Sequence, residues 1–183
     1  PSLTFQELFN FGQKIFWGTS GPSEEMRKIR LIWPFLLEIE KLHPHLKIWP
    51  DITLQVDDAQ GLQGRSDYVV TKKNNIFEAP YCIIMEAKRE DFSQGWGQAL
   101  TAMRGAQILN KKESALDVPI YGVVSTGEEW QFGKLAASQF IIYPKTSINV
   151  LEVDEKIIQV LSLLDIIFSV CEKNFCTEKD MGQ

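Results

Sequence analysis

The chain has 183 residues, 44% of them hydrophobic and 23% charged, which allows one well-buried core rather than two and excludes extended disorder. Its formal net charge of −5 argues against a protein that coats nucleic acid nonspecifically, although a nucleic-acid enzyme can hold part of that charge in a metal site. No apolar run approaches the ~20 residues of a membrane helix, and the opening Pro-Ser-Leu-Thr-Phe-Gln-Glu lacks the basic flank and apolar stretch of a secretory signal, so a cytoplasmic protein with no membrane partner is expected.

Residues 4–16 have the spacing of an amphipathic helix, with Phe5, Leu8, Phe9 and Phe16 on its apolar side and a loop at 18–22 after it. Ser23 is placed to cap a second helix, with Glu24 and Glu25 in the first turn where the helix dipole favours acids. That helix is expected to reach about Leu42 and to bend at Pro34, which cannot donate the mid-helix hydrogen bond. His43-Pro-His45 follows as a surface loop.

Ile52–Val56, Ser66–Thr71 and Tyr81–Ala87 then have the alternation or β-rich composition of strands. The last of these is almost continuously apolar, the pattern of a central strand covered on both faces. Phe92–Asn110 turns helical, with Trp96, Leu100, Met103 and Gln107 along one side. Pro119–Ser125 is a further buried strand, and Thr126-Gly127 turns into the alternating Glu129–Leu135, with Trp130 and Phe132 on one packed face. Gln139–Tyr143 and Ser147–Val150 extend the sheet. A final helix over 154–174 carries Ile157, Ile158, Leu161, Leu164, Ile167, Phe168 and Cys171, more apolar circumference than one sheet face needs; a homodimer through this helix is expected. The three cysteines, Cys82, Cys171 and Cys176, form no CxxC or CxH spacing and are expected to be buried reduced thiols. The predicted fold class is α/β (α+β), a single domain over 1–183 with a mixed central sheet flanked by helices.

The chemistry concentrates at the end of the third strand. Side chains alternate along a strand, so in Met85-Glu86-Ala87-Lys88 the glutamate and lysine share a face. Two ionisable groups after so apolar a run are costly unless they are paired or bind something. If the second and third strands form a hairpin, Asp67 approaches Glu86. Two carboxylates held that close repel each other, and a hard divalent cation relieves the repulsion. With no His or Cys in the constellation, magnesium suits it better than zinc. Lys88 beside such an ion can orient an attacking water or balance charge on a phosphate.

Asp67, the Glu86-x-Lys88 pair and the glutamine-bearing helix after it resemble the PD-(D/E)XK nuclease superfamily. Small uncharacterised bacterial proteins with an EAK-x-D-F-x-x-G-x-x-Q stretch and a later T-G-x-x-W-Q-F are similar. The nuclease domain of type I restriction enzyme R subunits is a more distant likeness, through R-x-D-Y and E-x-K-R. The resemblance covers about residues 20–135, leaving the C-terminal strands and helix of 136–175 outside it, and Ser66 stands where the eponymous proline would. It implies a restriction-endonuclease-like core of αβββαβ order and Mg²⁺-dependent cleavage of DNA, with Mn²⁺ as a substitute. Asp67 and Glu86 would hold the metal and Lys88 would be the catalytic lysine.

Two weaker site residues complete this expectation. The superfamily often adds an acid from the first core helix; Glu25 stands four, seven and eleven residues before Ile29, Ile32 and Leu36, on the inward stripe, whereas Glu24 aligns with Lys28 and is expected to face outward. Gln98 matches the glutamine that related nucleases use, and Gln94, four residues earlier, shares its face. Gly95 and Gly97 each cost the helix roughly 1 kcal/mol relative to alanine, which points to close backbone approach to the sheet or to a phosphate. Short basic runs, Arg27-Lys28-x-Arg30 among them, read as solvated surface. The alternative to a nuclease is a nuclease-like fold kept as a nucleic-acid- or protein-binding regulatory module with little catalysis.

Overall fold

The periodicities resolve into five α-helices and six strands in the computed structural model, which describes residues 1–18, 23–57 and 62–175. Helix α1 spans Leu3–Trp17, capped by the Ser2 hydroxyl, which accepts from the Phe5 amide at 3.1 Å. Ser23 caps α2 (Glu24–Arg27) in the same way, through the Met26 amide at 3.2 Å. A π-helical turn, Lys28–Ile32, leads into α3 (Trp33–Leu42), with Pro34 in its first turn. Where a bend at Pro34 was expected, a π turn stands just ahead of the proline.

The strands are β1 (Leu46–Asp57), β2 (Leu62–Lys72), β3 (Tyr81–Ala87), β4 (Ile120–Ser125), β5 (Glu129–Ala136) and β6 (Gln139–Asn149). They lie in one mixed sheet in sequence order, antiparallel throughout except for the parallel pair β3–β4. That parallel pair requires a crossover, which α4 (Phe92–Ser114) supplies. The two segments expected after residue 138 are one strand, β6. Helix α5 (Asp154–Phe175) closes the described chain; Cys176 and most of the loop at 18–22 lie outside it.

The centre of the sheet is buried on both faces, as the unbroken apolar run of β3 requires. Against one face pack α1, α3 and α5, with Phe35 at the centre of a ring cluster that includes Phe5, Phe9 and Trp130 at centroid distances of 5.0, 5.1 and 4.8 Å. Helix α4 covers the other face through Trp96, Ala99, Met103 and Ala106. The molecule is an α/β domain with a six-stranded mixed sheet flanked by helices. Among the described residues, no helix is long and apolar enough to cross a membrane.

Three surface expectations give way here. His43 is buried: its Nδ1 lies 2.9 Å from Glu172 Oε2 and its Nε2 3.0 Å from Asp165 Oδ1, so it pins α5 to the end of α3. In α5, Leu161, Leu164, Ile167, Phe168 and Cys171 are consumed by the chain's own core, which narrows the apolar surface that helix offers; Ile158 and Ile166 are its large apolar side chains left exposed. Nor is the basic run on the first core helix solvated, because Arg27 is paired with Glu128 at 2.7 Å and Lys28 with Asp67 at 3.1 Å.

Candidate active site

The hairpin of β2 and β3 sets Tyr68 opposite Met85, so Asp67 and Glu86 fall on the next rung, where the two strands begin to part. One oxygen of Asp67, Oδ2, accepts the Ala87 amide at 2.8 Å, locking that carboxylate across the end of β3. Glu86 is 4% exposed and its Oε1 is buried with no hydrogen-bond partner. The Ser66 hydroxyl lies close enough to favour the ionised form, but it too is buried outside hydrogen-bonding geometry. Lys88 is anchored through its backbone amide, which donates to the Ser125 carbonyl of the parallel strand β4 at 2.9 Å. Its ammonium is 3.8 Å from Glu86 Oε2 and 3.6 Å from Glu24 Oε1. These are ion-pair separations longer than a hydrogen bond, which leaves the Nζ donors open to other acceptors.

Burial is the chief reason that Glu86 is pushed up to about 8, with the neighbouring Asp67 charge adding to it and Lys88 only partly opposing it. Four carboxylates, Glu24, Glu25, Asp67 and Glu86, thus face two ammoniums, Lys28 and Lys88. A divalent cation bound among them would favour the ionised form of Glu86, which burial otherwise disfavours. A buried carboxylate oxygen without a partner, beside a second carboxylate, is the donor set that such a cation would satisfy. Among the described residues no group of three or more His, Cys, Asp and Glu side chains is arranged to hold a metal. Asp67 and Glu86 alone would be the protein ligands, in keeping with a magnesium ion that retains most of its waters.

The first core helix departs from its expected phase. Glu24, not Glu25, approaches Lys88, while Glu25 is 66% exposed and reaches the site only through Lys28. A π turn closes i to i+5 and inserts a residue, rotating the preceding turn by about 100° relative to a regular 3.6-residue helix. Ile29, which the inward stripe would bury, is accordingly 54% exposed and Leu31 is buried in its place, while Ile32 and Leu36 of that stripe are buried as expected. Lys28, assigned to the outer face by the same regular spacing, turns inward to Asp67. It is the residue that sequence spacing missed; its membership of a basic run ahead of the acidic site was the available signal.

On α4 the outcome is divided. Gln94 and Gln98 are both exposed, and no hydrogen bond joins Gln98 to the carboxylates. Gly95, by contrast, sits where a Cβ would come within 2.6 Å of Val124 Cγ1 and 2.9 Å of Lys88 Cγ, so its missing side chain is what lets α4 press on the sheet and the Lys88 stem. Gly97 faces open space. Gly95→Ala is therefore expected to destabilise the protein by about 1–3 kcal/mol through overpacking, outweighing its gain in helix propensity. Gly97→Ala should stabilise it by about 0.5–1 kcal/mol. Chemical denaturation of the two variants side by side checks the contrast; equal effects would refute the packing assigned to Gly95.

No family model matches the chain, and no curated protein matches it significantly.

Proposed function

We propose that the chain is a restriction-endonuclease-like, Mg²⁺-dependent nuclease acting on DNA, with Asp67 and Glu86 as metal ligands and Lys88 as the catalytic lysine. The observation that carries this reading is the buried, unpartnered Glu86 Oε1 at the end of β3, flanked by Asp67 and Lys88. The succession of the first core helix, β1, β2, β3, α4 and β4 accords with an αβββαβ core. When bound, Mg²⁺ supplies a Lewis acid for the phosphate and lowers the pKa of an attacking water. Lys88, with its ammonium 3.8 Å from Glu86 and 3.6 Å from Glu24, can orient that water or offset negative charge on the phosphate. Mn²⁺ should substitute for Mg²⁺. A cytoplasmic location and dimerisation remain part of the proposal, the latter carried by the exposed Ile158 and Ile166 rather than by the whole of α5.

One observation favours a second reading, a nuclease-like fold kept as a binding module. Lys28 already neutralises Asp67, as a substitute counter-ion would. Incubating supercoiled plasmid with the protein and Mg²⁺ or Mn²⁺ separates the two. The nuclease reading expects nicked or linear product that disappears with EDTA and in Asp67→Ala, Glu86→Ala and Lys88→Ala. Cleavage that persists in all three variants would remove the site assignment, and metal-indifferent DNA or protein association without cleavage would favour the binding module.

A further inference from the structure

The Lys28 ammonium stands beside the carboxylate that a divalent cation would need. It lies 3.1 Å from Asp67 Oδ1 and 2.6 Å from Glu25 Oε2, with its side chain only 15% exposed. Asp67 is thereby engaged on both oxygens, by Lys28 on one and by the Ala87 amide on the other. Glu25, at 66% exposed, is on the solvent side of the same ammonium. A lysine is a point charge on a flexible four-carbon stem, able to move between two acceptors. The π turn that carries it is a helical irregularity often found at functional sites.

We infer that Lys28 is an internal counter-cation for Asp67 that must withdraw onto Glu25 for a divalent cation to bind, so that Lys28 sets the metal affinity of the site. This rests on the reading that Asp67 and Glu86 hold the metal. The physical reason is charge competition: an ammonium within about 3–4 Å of Asp67 repels a second cation at the same carboxylate, in a partly buried place where screening is weak. The device holds the acidic site together without metal and raises the metal concentration at which the site fills. Glu25, the acid expected to join the site directly, acts instead as the acceptor that receives Lys28.

Mn²⁺ binding followed by electron paramagnetic resonance, on folded protein without DNA, tests this. Lys28→Met is expected to bind Mn²⁺ at least about tenfold more tightly than the wild type, a difference of ~1.4 kcal/mol, and Asp67→Asn to abolish binding in either background. Wild-type binding that is lost in Asp67→Asn but unchanged or weakened in Lys28→Met overturns the role of Lys28 and leaves the metal reading intact. Binding that is indifferent to both Asp67→Asn and Glu86→Gln, or absent from wild type and Lys28→Met alike, overturns the metal reading and this inference with it. Should Lys28→Met fail to fold, the wild-type protein supplies the test. Its Lys28 ammonium resonance, protected by two hydrogen bonds, should shift and broaden by faster exchange as Mg²⁺ is added. A resonance unmoved at saturating Mg²⁺ overturns the withdrawal.

Discussion

Glu86→Gln is expected to stabilise the metal-free protein at pH 8 by on the order of 4 kcal/mol while abolishing metal-dependent cleavage. Burial, reinforced by Asp67, raises this carboxyl from an ordinary 4.5 to about 8. Between those values the native chain holds a proton that the unfolded chain has lost, so stability falls as pH rises. The favourable contribution is complete below about pH 4.5 and is lost as the pH passes through about 8. Glutamine imitates the protonated acid and removes that dependence. The two proteins should therefore melt alike near pH 4 and diverge by roughly 10 °C near pH 8, given the few degrees per kcal/mol of a domain this size. Saturating Mg²⁺ should narrow the gap by stabilising only the wild type, since a ligand that binds the native state alone raises its melting point. Thermal unfolding at several pH values, with and without Mg²⁺, measures all of this. Parallel pH profiles for the two proteins would show that Glu86 is not the strained carboxyl described above.

Lys88→Met should act on the other half of the site. Its cleavage rate is expected to drop by about 10²–10³-fold, the usual loss when a preorganised donor to developing charge is removed. Metal affinity should hold or rise, because the ammonium 3.8 Å from Glu86 and 3.6 Å from Glu24 opposes a cation rather than ligating it. Methionine keeps most of the stem that packs against Gly95, so packing is little disturbed. Single-turnover cleavage and Mn²⁺ binding, measured on the same preparation, distinguish the roles. A variant that loses both together would mark Lys88 as a structural counter-charge to Glu86.

The same distinction between local and tertiary causes runs through the whole molecule. A period of two is a property of the strand itself, which is why β3, the shared face of Glu86 and Lys88, and the packed pair Trp130 and Phe132 could be read from residues alone. Ser23 capped its helix as expected because an N-cap is a bond between near neighbours in the chain. The approach of Asp67 to the end of β3 was also legible, since adjacent antiparallel strands follow from a short connection and their order.

Choices that depend on distant partners were decided by tertiary packing. The π turn at Lys28–Ile32 shifted the helical phase, brought Glu24 and Lys28 inward and left Glu25 as Lys28's outer acceptor; regular helical spacing contains no sign of such an insertion. His43 became buried because two acids of α5, more than 120 residues away in the chain, close on its ring nitrogens. Most of the apolar stripe of α5 was taken up by its own core rather than by a second chain, because α1 and α3 as well as the sheet pack on that side. The sequence by itself determined that Asp67, Glu86 and Lys88 would meet at the end of a buried strand, because strand alternation and hairpin pairing are local and directional. Which charges surround them, and which cation already holds Asp67, depended on the packing of the first core helix across the sheet.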